Sequence, residues 1–265
     1  MSNLLDPAIE AAWAYERLHV NALFRQWTEP VLAAAAVSTG MSVLDVACGT
    51  GVLARAARSR VGPRGSVTGV DIGRGMLSVA ESIQPDIRWV EGDAGELPFD
   101  DDHFDAVVSQ FGLMFFPDPV RAIHEMLRCL RPDGRVVVAV WDALERSQAY
   151  PLSVDLLDRR AGSAAAEALR APFALGDRGT LRGMFESAGA TVTSITTRHG
   201  TATFPSVRSM VEADLRGWLP VMGVFLDAAL IESLLTESEE ALSQYVAPDG
   251  RMIFDAPAHI VVAQV

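Results

Sequence analysis

Apolar residues fall into two alternating patterns along the chain. Short runs occur at 43–46, 66–70, 87–90, 104–109 and 136–141, and each is rich in Val, Ile or Phe. Between them the apolar positions recur at helical spacing, opening at Val52-Leu53-Ala54, spanning 74–84, and recurring at Val120, Ile123, Leu127 and Leu130. Strands that alternate with amphipathic helices predict an α/β fold, doubly wound about a mostly parallel sheet. The run at 136–141 is nearly continuous, as a central parallel strand buried on both faces requires.

Outside this region the periodicity is helical. Residues 7–38 read as helix, started by Pro7 and ended by Gly40. Residues 143–177 are alanine-rich and helical, and a further helix at 180–188 leads into a β-branched strand at 191–197. Apolar clusters at Val207, Met210 and Val211, then Leu215, Trp218 and Leu219, predict a second helical insertion over 206–249 before a last strand near 259–265. The expected organisation is one domain over 1–265, with a ligand-binding core at 41–141 and a helical cap built from 1–38, 143–177 and 206–249.

Composition narrows the partners. A chain of 265 residues with 49% hydrophobic content is long enough for one large packed domain. Its net charge of −12 argues against a nucleic-acid substrate, because phosphate binding depends on clustered Lys and Arg. Two cysteines, Cys48 in a turn and Cys129 in a helix pattern, make no disulfide framework and suit a reducing compartment. Asp6 and Glu10 interrupt the N-terminal region, and no apolar run reaches membrane-spanning length, so neither signal peptide nor membrane span is expected and a cytoplasmic location is. Oligomeric state is not encoded in these patterns.

The candidate chemistry centres on Val43-Leu44-Asp45-Val46-Ala47-Cys48-Gly49-Thr50-Gly51, a strand that runs into a glycine-rich turn. Gly49 and Gly51 permit positive φ and a close approach of backbone to ligand. Asp71 closes the next strand at the distance where a βαβ unit presents an acid to ribose hydroxyls. Asp45 separates the candidate ligands. A carboxylate at the tip of the first strand repels a pyrophosphate but attracts an ammonium group. S-adenosylmethionine carries an α-ammonium, a sulfonium and a ribose with both hydroxyls, and so suits Asp45 and Asp71.

At this point the chain resembles a known family, the class I S-adenosylmethionine-dependent methyltransferases, especially the small-molecule branch that includes the quinone-biosynthesis C-methyltransferases. The matching stretches are VLDVACGTG at 43–51, VTGVDIGRGML at 67–77, WVEGDAGELPF at 89–99, FDAVVSQFGLMFFPD at 104–118 and MLRCLRPDGRVVVAVW at 126–141, in the family's order and spacing. The resemblance implies a seven-stranded sheet of order 3-2-1-4-5-7-6 with an antiparallel last strand. It also implies that Ala47, Gly49, Thr50 and Gly51 form the cofactor turn. Asp93 and the Ala94 backbone would meet the adenine edge, Ile72 and Met76 its faces, and Gln110 the methionine portion. N-terminal helices would lie over the cofactor. The expected product is S-adenosylhomocysteine.

For the acceptor the residues leave alternatives open. Trp27, Phe111, Phe115, Phe116 and Trp141 either line a pocket for a partly apolar small molecule or pack the core. Tyr15 and His19, four apart, share a helix face and are the candidates for acid–base work, with His19 the base if the acceptor needs one. His124 lies off its helix's apolar stripe, and His199 and His259 sit in strand-like segments without an evident partner. Asp100-Asp101-Asp102-His103 reads as a solvated connection, and no metal is expected. Methylation of O, C or N is equally compatible with the motifs. A cofactor-binding protein that transfers no methyl group is an alternative, and an NAD-dependent dehydrogenase a weaker one because of Asp45.

Overall fold

The computed structural model describes residues 6–265. The strands are β1 (Ser42–Val46), β2 (Ser66–Asp71), β3 (Arg88–Glu91), β4 (Phe104–Gln110), β5 (Leu130–Trp141), β6 (Thr191–Arg198), β7 (Thr201–Phe204), β8 (Met252–Asp255) and β9 (Ala258–Gln264). Seven of them form one sheet in the order β3-β2-β1-β4-β5-β9-β6, with β9 antiparallel to both its neighbours. Counted within the sheet alone this is 3-2-1-4-5-7-6, as the resemblance implied. The pleat divides the core: Val43 of β1 points into one apolar cluster, while Leu44 and Val46 point into the other.

Helices cover both faces. In chain order they are α1 (Pro7–Tyr15), α2 (Thr28–Ala34), α3 (Val52–Val61), α4 (Arg74–Ile83), α5 (Pro119–Arg128), α6 (Tyr150–Ala161), α7 (Ser163–Arg170), α8 (Arg178–Ser187), α9 (Val207–Glu212), α10 (Leu219–Val221) and α11 (Ala228–Ala241). Local chemistry sets their starts. The Asp6 and Asp118 side chains accept backbone N–H groups at the first turns of α1 and α5, and each is followed by proline. Residues Leu53, Ala54 and Ala57 of α3 pack on the first face, and Ile123, Met126 and Leu127 of α5 on the second.

Two local expectations need correction, and the structure adds one element. The N-terminal helix is not uniform: a π-helical stretch, Glu16–Phe24, and a 3-10 turn, Arg25–Trp27, join α1 to α2, and the helix ends at Ala34–Ala36 rather than at Gly40. Ala36 supplies the left-handed residue, at φ 51°. Pro132-Asp133-Gly134 is a bulge inside β5, with Asp133 at φ 68° and the register skipping between Phe104/Leu130 and Ala106/Arg135. The added element flanks the helical cap segment 206–249. Antiparallel β7 and β8 pair as a two-stranded ribbon at its base, enclosing α9 to α11. A second π-helical stretch, Ala213–Trp218, joins α9 to α10.

Candidate functional site

The glycine turn sits where β1 leaves the sheet. Gly49 and Gly51 have φ of 55° and 87°, a region that costs other residues about 1–2 kcal/mol. A Cβ on Gly49 would meet nothing within 4 Å, whereas one on Gly51 would strike the ring of Trp89. The turn is held from β2. Asp71 accepts the Gly49 N–H on one carboxylate oxygen and the Gly73 N–H on the other, both at 2.8 Å. Each oxygen keeps a free lone pair. Ile72 beside it is 73% exposed, an unusual position for so apolar a side chain, and Met76 is half-buried.

Asp45 lies beneath the turn and is fully buried, with one carboxylate oxygen lacking a hydrogen-bond partner. Burial pushes its pKa up to about 8; the Ala54 backbone N–H opposes this and the nearby Asp71 carboxylate adds to it. Asp71 is raised too, chiefly by burial, against the pull of its backbone donors. The Thr50 hydroxyl is likewise buried and unpaired. Two non-glycine residues, Ala47 and Phe111, adopt φ of 57° and 58° where β1 and β4 end, so the backbone is strained on both sides of this edge. Gly112 lets the two turns meet, because a Cβ there would lie 2.6 Å from that of Ala47. Gln110 donates to the Phe24 carbonyl at 3.1 Å, leaving its own carbonyl buried and unpaired. Asp93, at the end of β3, is exposed and accepts the Gly95 N–H, so one of its oxygens also shapes the turn; Ala94 is half-buried next to it.

Beside this edge lies a partly open, aromatic chamber of about 80 Å³, several times the space one water needs. Phe111 and Trp141 stack at 3.9 Å to form one wall. Tyr15, Phe24 and Phe115 add to it, and Trp218 from the cap packs against Phe115 at 5.0 Å. Trp27 stands edge-on behind the stack, at 5.9 Å from Phe111 and 6.0 Å from Trp141, and does not line the chamber. Phe116 is turned away into the core cluster around α5, so it lies outside the chamber expected for it.

His19 and Asp214 bring an imidazole and a carboxyl group into this apolar space. His19 Nε2 stands 3.6 Å from an Asp214 carboxylate oxygen, with both side chains buried. The second nitrogen, Nδ1, and the second Asp214 oxygen have no partner. Burial raises the Asp214 pKa and the adjacent imidazole lowers it. Tyr15 lies 5.6 Å from the His19 ring; burial first, then the carboxylates of Asp71, Glu16 and Asp45, hold its phenol well above its ordinary pKa. Tyr15 therefore feels both the strand-edge acids and the chamber.

The sequence pattern did not reveal Asp214, which follows Glu212 by two residues in a helical stretch with nothing local to set it apart. Nor did it reveal the contact that ties the N-terminal helix down: Arg55 of α3 donates to the Thr50 carbonyl at 2.5 Å and to Glu16 at 2.7 Å. The expectation that His199 and His259 lack partners is also overturned. His259 is buried among Thr197, the Gly176 carbonyl and Asp142 at 2.9–3.1 Å, and His199 contacts Asp255 at 2.6 Å. Asp142 thus points to His259 and away from the chamber. Among the described residues no cluster of His, Cys, Asp and Glu has metal-binding geometry.

Comparison with known proteins places this architecture. Residues 44–138 match the family model of the methyltransferase domain. A demethylmenaquinone methyltransferase of Staphylococcus aureus is 41% identical over 140 residues, which cover 51% of this chain and 56% of the relative. The chain thus spans about half the length of the curated relatives it matches. Among solved structures, an S-adenosylmethionine-dependent methyltransferase from Aquifex aeolicus superposes with a TM-score of 0.54 at 18% identity, covering 72% of this chain and 92% of the other. A Haemonchus contortus phosphoethanolamine N-methyltransferase, in complex with phosphomonomethylethanolamine and S-adenosylhomocysteine, gives a TM-score of 0.60 at 17% identity, covering 97% and 57%. These likenesses carry the fold. With the domain match and the S. aureus relative, they make residues 44–138 similar to a methyltransferase domain.

Proposed function

We propose that this chain is a class I methyltransferase that transfers a methyl group from S-adenosylmethionine to a small, partly apolar acceptor and releases S-adenosylhomocysteine. The observation that carries this reading is Asp45, a buried carboxylate with an unpaired oxygen at the foot of the glycine turn. A dinucleotide's pyrophosphate would be repelled there, and an α-ammonium would satisfy it. Gly49 leaves open space on the ligand side of the turn, and the exposed Ile72 offers an apolar face for a base.

In this reading Asp45 holds the ammonium and Asp71 the ribose hydroxyls. Ile72 and Met76 flank the adenine, with Asp93 and Ala94 at its edge. Gln110 serves the methionine portion, and Ala47, Gly49, Thr50 and Gly51 form the backbone cradle. The cofactor supplies a methyl group on a sulfonium, already a good leaving group. The protein's share is therefore positioning and exclusion of water. Phe111, Phe115 and Trp141 bed the acceptor, and Trp27 backs them. The chain would act as one unit over 1–265, its core at 41–141 closed by the cap segments 1–38, 143–177 and 206–249.

The acidic surface supports a small molecule over nucleic acid as acceptor. Among the described residues no helix is long and apolar enough to cross a membrane, and both cysteines are free and buried, which supports a cytoplasmic setting. The test is the thermal midpoint with S-adenosylmethionine, S-adenosylhomocysteine and NAD in turn. Ligand at about 100 times its dissociation constant adds roughly 2.7 kcal/mol, and each kcal/mol moves the midpoint of a chain this long by about 2–4 °C. A rise with both adenosyl ligands is expected; a rise with NAD alone overturns the reading.

A further inference from the structure

We propose that a second cleft, which shares a wall with the aromatic chamber, binds a small molecule through an oxyanion, a phosphate or carboxylate group, held by Arg146 and Arg178. The inference goes beyond the methyl-transfer reading and does not depend on it.

The argument starts from where the cleft lies. β5 runs out into Asp142 and β6 into His199, and both residues line an open cleft of about 700 Å³, a size that suits a small molecule. The carboxyl ends of strands are where open α/β sheets take ligands. On the chamber side the wall presents Trp141, Phe173 and Ala256; on the cleft side it presents Asp142, Gly176 and Pro257. The Asp142 N–H donates to the Pro257 carbonyl at 3.0 Å and ties that wall together.

The inner lining is fixed by His259, which is 2% exposed. Its Nε2 stands 2.9 Å from the Gly176 carbonyl and 3.1 Å from the Asp142 carboxylate, and its Nδ1 2.9 Å from the Thr197 hydroxyl. A carbonyl only accepts, so Nε2 carries the proton and the Thr197 hydroxyl donates to Nδ1. These groups satisfy one another. They set the shape of the cleft and leave its rim to make the contacts with a ligand.

The rim chemistry follows from which charges are already engaged. Asp142 also accepts the Ala143 N–H at 2.7 Å, and Asp177 caps α8 by accepting the N–H and hydroxyl of Thr180 at 2.7 and 2.8 Å. His199 is tied to Asp255. Glu145, Arg146 and Arg178 remain, and among the described residues none of the three has an ion-pair partner. Arg146 makes no hydrogen bond either, whereas Arg178 uses one nitrogen to hold the Ile195 carbonyl of β6 at 2.7 Å. Two guanidiniums against one carboxylate leave an unmatched positive charge, in a chain whose net charge is −12. A guanidinium's planar fork matches phosphate and carboxylate oxygens two at a time. The complement of this rim is therefore an oxyanion.

The test titrates the full chain with inorganic phosphate and, separately, with succinate, at an ionic strength held constant with chloride, and follows the arginine Nε–H resonances. At least one of the two anions should give a saturable shift; the tighter one tells a phosphate site from a carboxylate site. Arg146→Gln and Arg178→Gln should each weaken that binding by about tenfold, as loss of a charge-assisted hydrogen bond does. Glu145→Gln should tighten it by about threefold, because the opposing charge is gone. Each variant should keep its thermal midpoint within about 2 °C, as surface substitutions do. Should Arg178→Gln lose more, Arg146→Gln decides, since it breaks no bond in the protein. Saturation by neither anion, an affinity unchanged in Arg146→Gln, or weaker binding in Glu145→Gln overturns the inference.

Discussion

The Arg55 guanidinium joins Glu16 at 2.7 Å while another of its nitrogens donates to the Thr50 carbonyl, so one side chain fastens the N-terminal helix to the glycine turn. Both partners of the ion pair are only 14% exposed. Arg55→Ala should therefore loosen the helix and the turn together. The expected outcome is cofactor affinity weakened by about tenfold, or ~1.4 kcal/mol, with faster release. Glu16→Gln, which leaves the Thr50 contact in place, should weaken it less. Calorimetry and stopped-flow release of S-adenosylhomocysteine check both values.

Asp45 sets stability against binding. Its folded-state pKa of about 8 lies above its unfolded value, so between about pH 4 and 8 the folded chain holds a proton that the unfolded chain has lost. Stability from this group is thus present at low pH and declines as pH rises through that window, by at most about 1.4 kcal/mol per pH unit. Asp45→Asn should stabilise the ligand-free protein at pH 7 by on the order of 1–3 kcal/mol and raise its thermal midpoint accordingly. The same change should weaken S-adenosylmethionine binding. In the unmodified protein that binding should tighten as pH rises toward 8, because the ammonium prefers the ionised carboxylate; in the variant it should be flat. Dissociation constants measured from pH 6 to 9 decide the matter.

The two turn glycines should behave differently. Gly49→Ala meets no atom, so it should fold with a loss of about 1–2 kcal/mol from its positive φ. Its new methyl group, projecting on the ligand side, should still depress cofactor affinity. Gly51→Ala drives a Cβ into Trp89, whose indole N–H is already fixed to the Gln84 carbonyl at 2.9 Å. It should lose more stability than Gly49→Ala in urea unfolding.

Within the chamber, Phe115 and Trp141 separate binding from stability. Trp141 is buried in the stack, and Trp141→Ala should cost about 3–5 kcal/mol. Phe115 is 38% exposed, so Phe115→Ala should change stability by less than about 1 kcal/mol. Both should weaken binding of a flat aromatic probe in the chamber, and neither should change S-adenosylhomocysteine affinity by more than about twofold. Chemical unfolding and probe titration read the two effects separately.

The parallel core was legible because each of its strands is an apolar run closed by a turn residue, and each helix shows its stripe. Asp45 and Asp71 could be chosen because they end strands, where open sheets bind ligands. The ribbon of β7 and β8 escaped notice because two four-residue strands carry too little periodicity to stand out beside the helical cap. Asp214 escaped for another reason. Its meaning depends on His19, near the other end of the chain, and no local pattern encodes a contact of that kind. Phe116 shows the limit of reading a loop by composition: it is as apolar as Phe115, but its backbone turns it to the opposite layer.

The placement of that pair also orders events in time. A ribosome finishes the sheet strands β1 to β5 while the second π-helical stretch has yet to be made, so the turn exists before the chamber does. Closing a loop between such distant residues is entropically slow. The growing chain thus completes its glycine turn early and the partner of His19 late, and the chamber closes only when the cap docks.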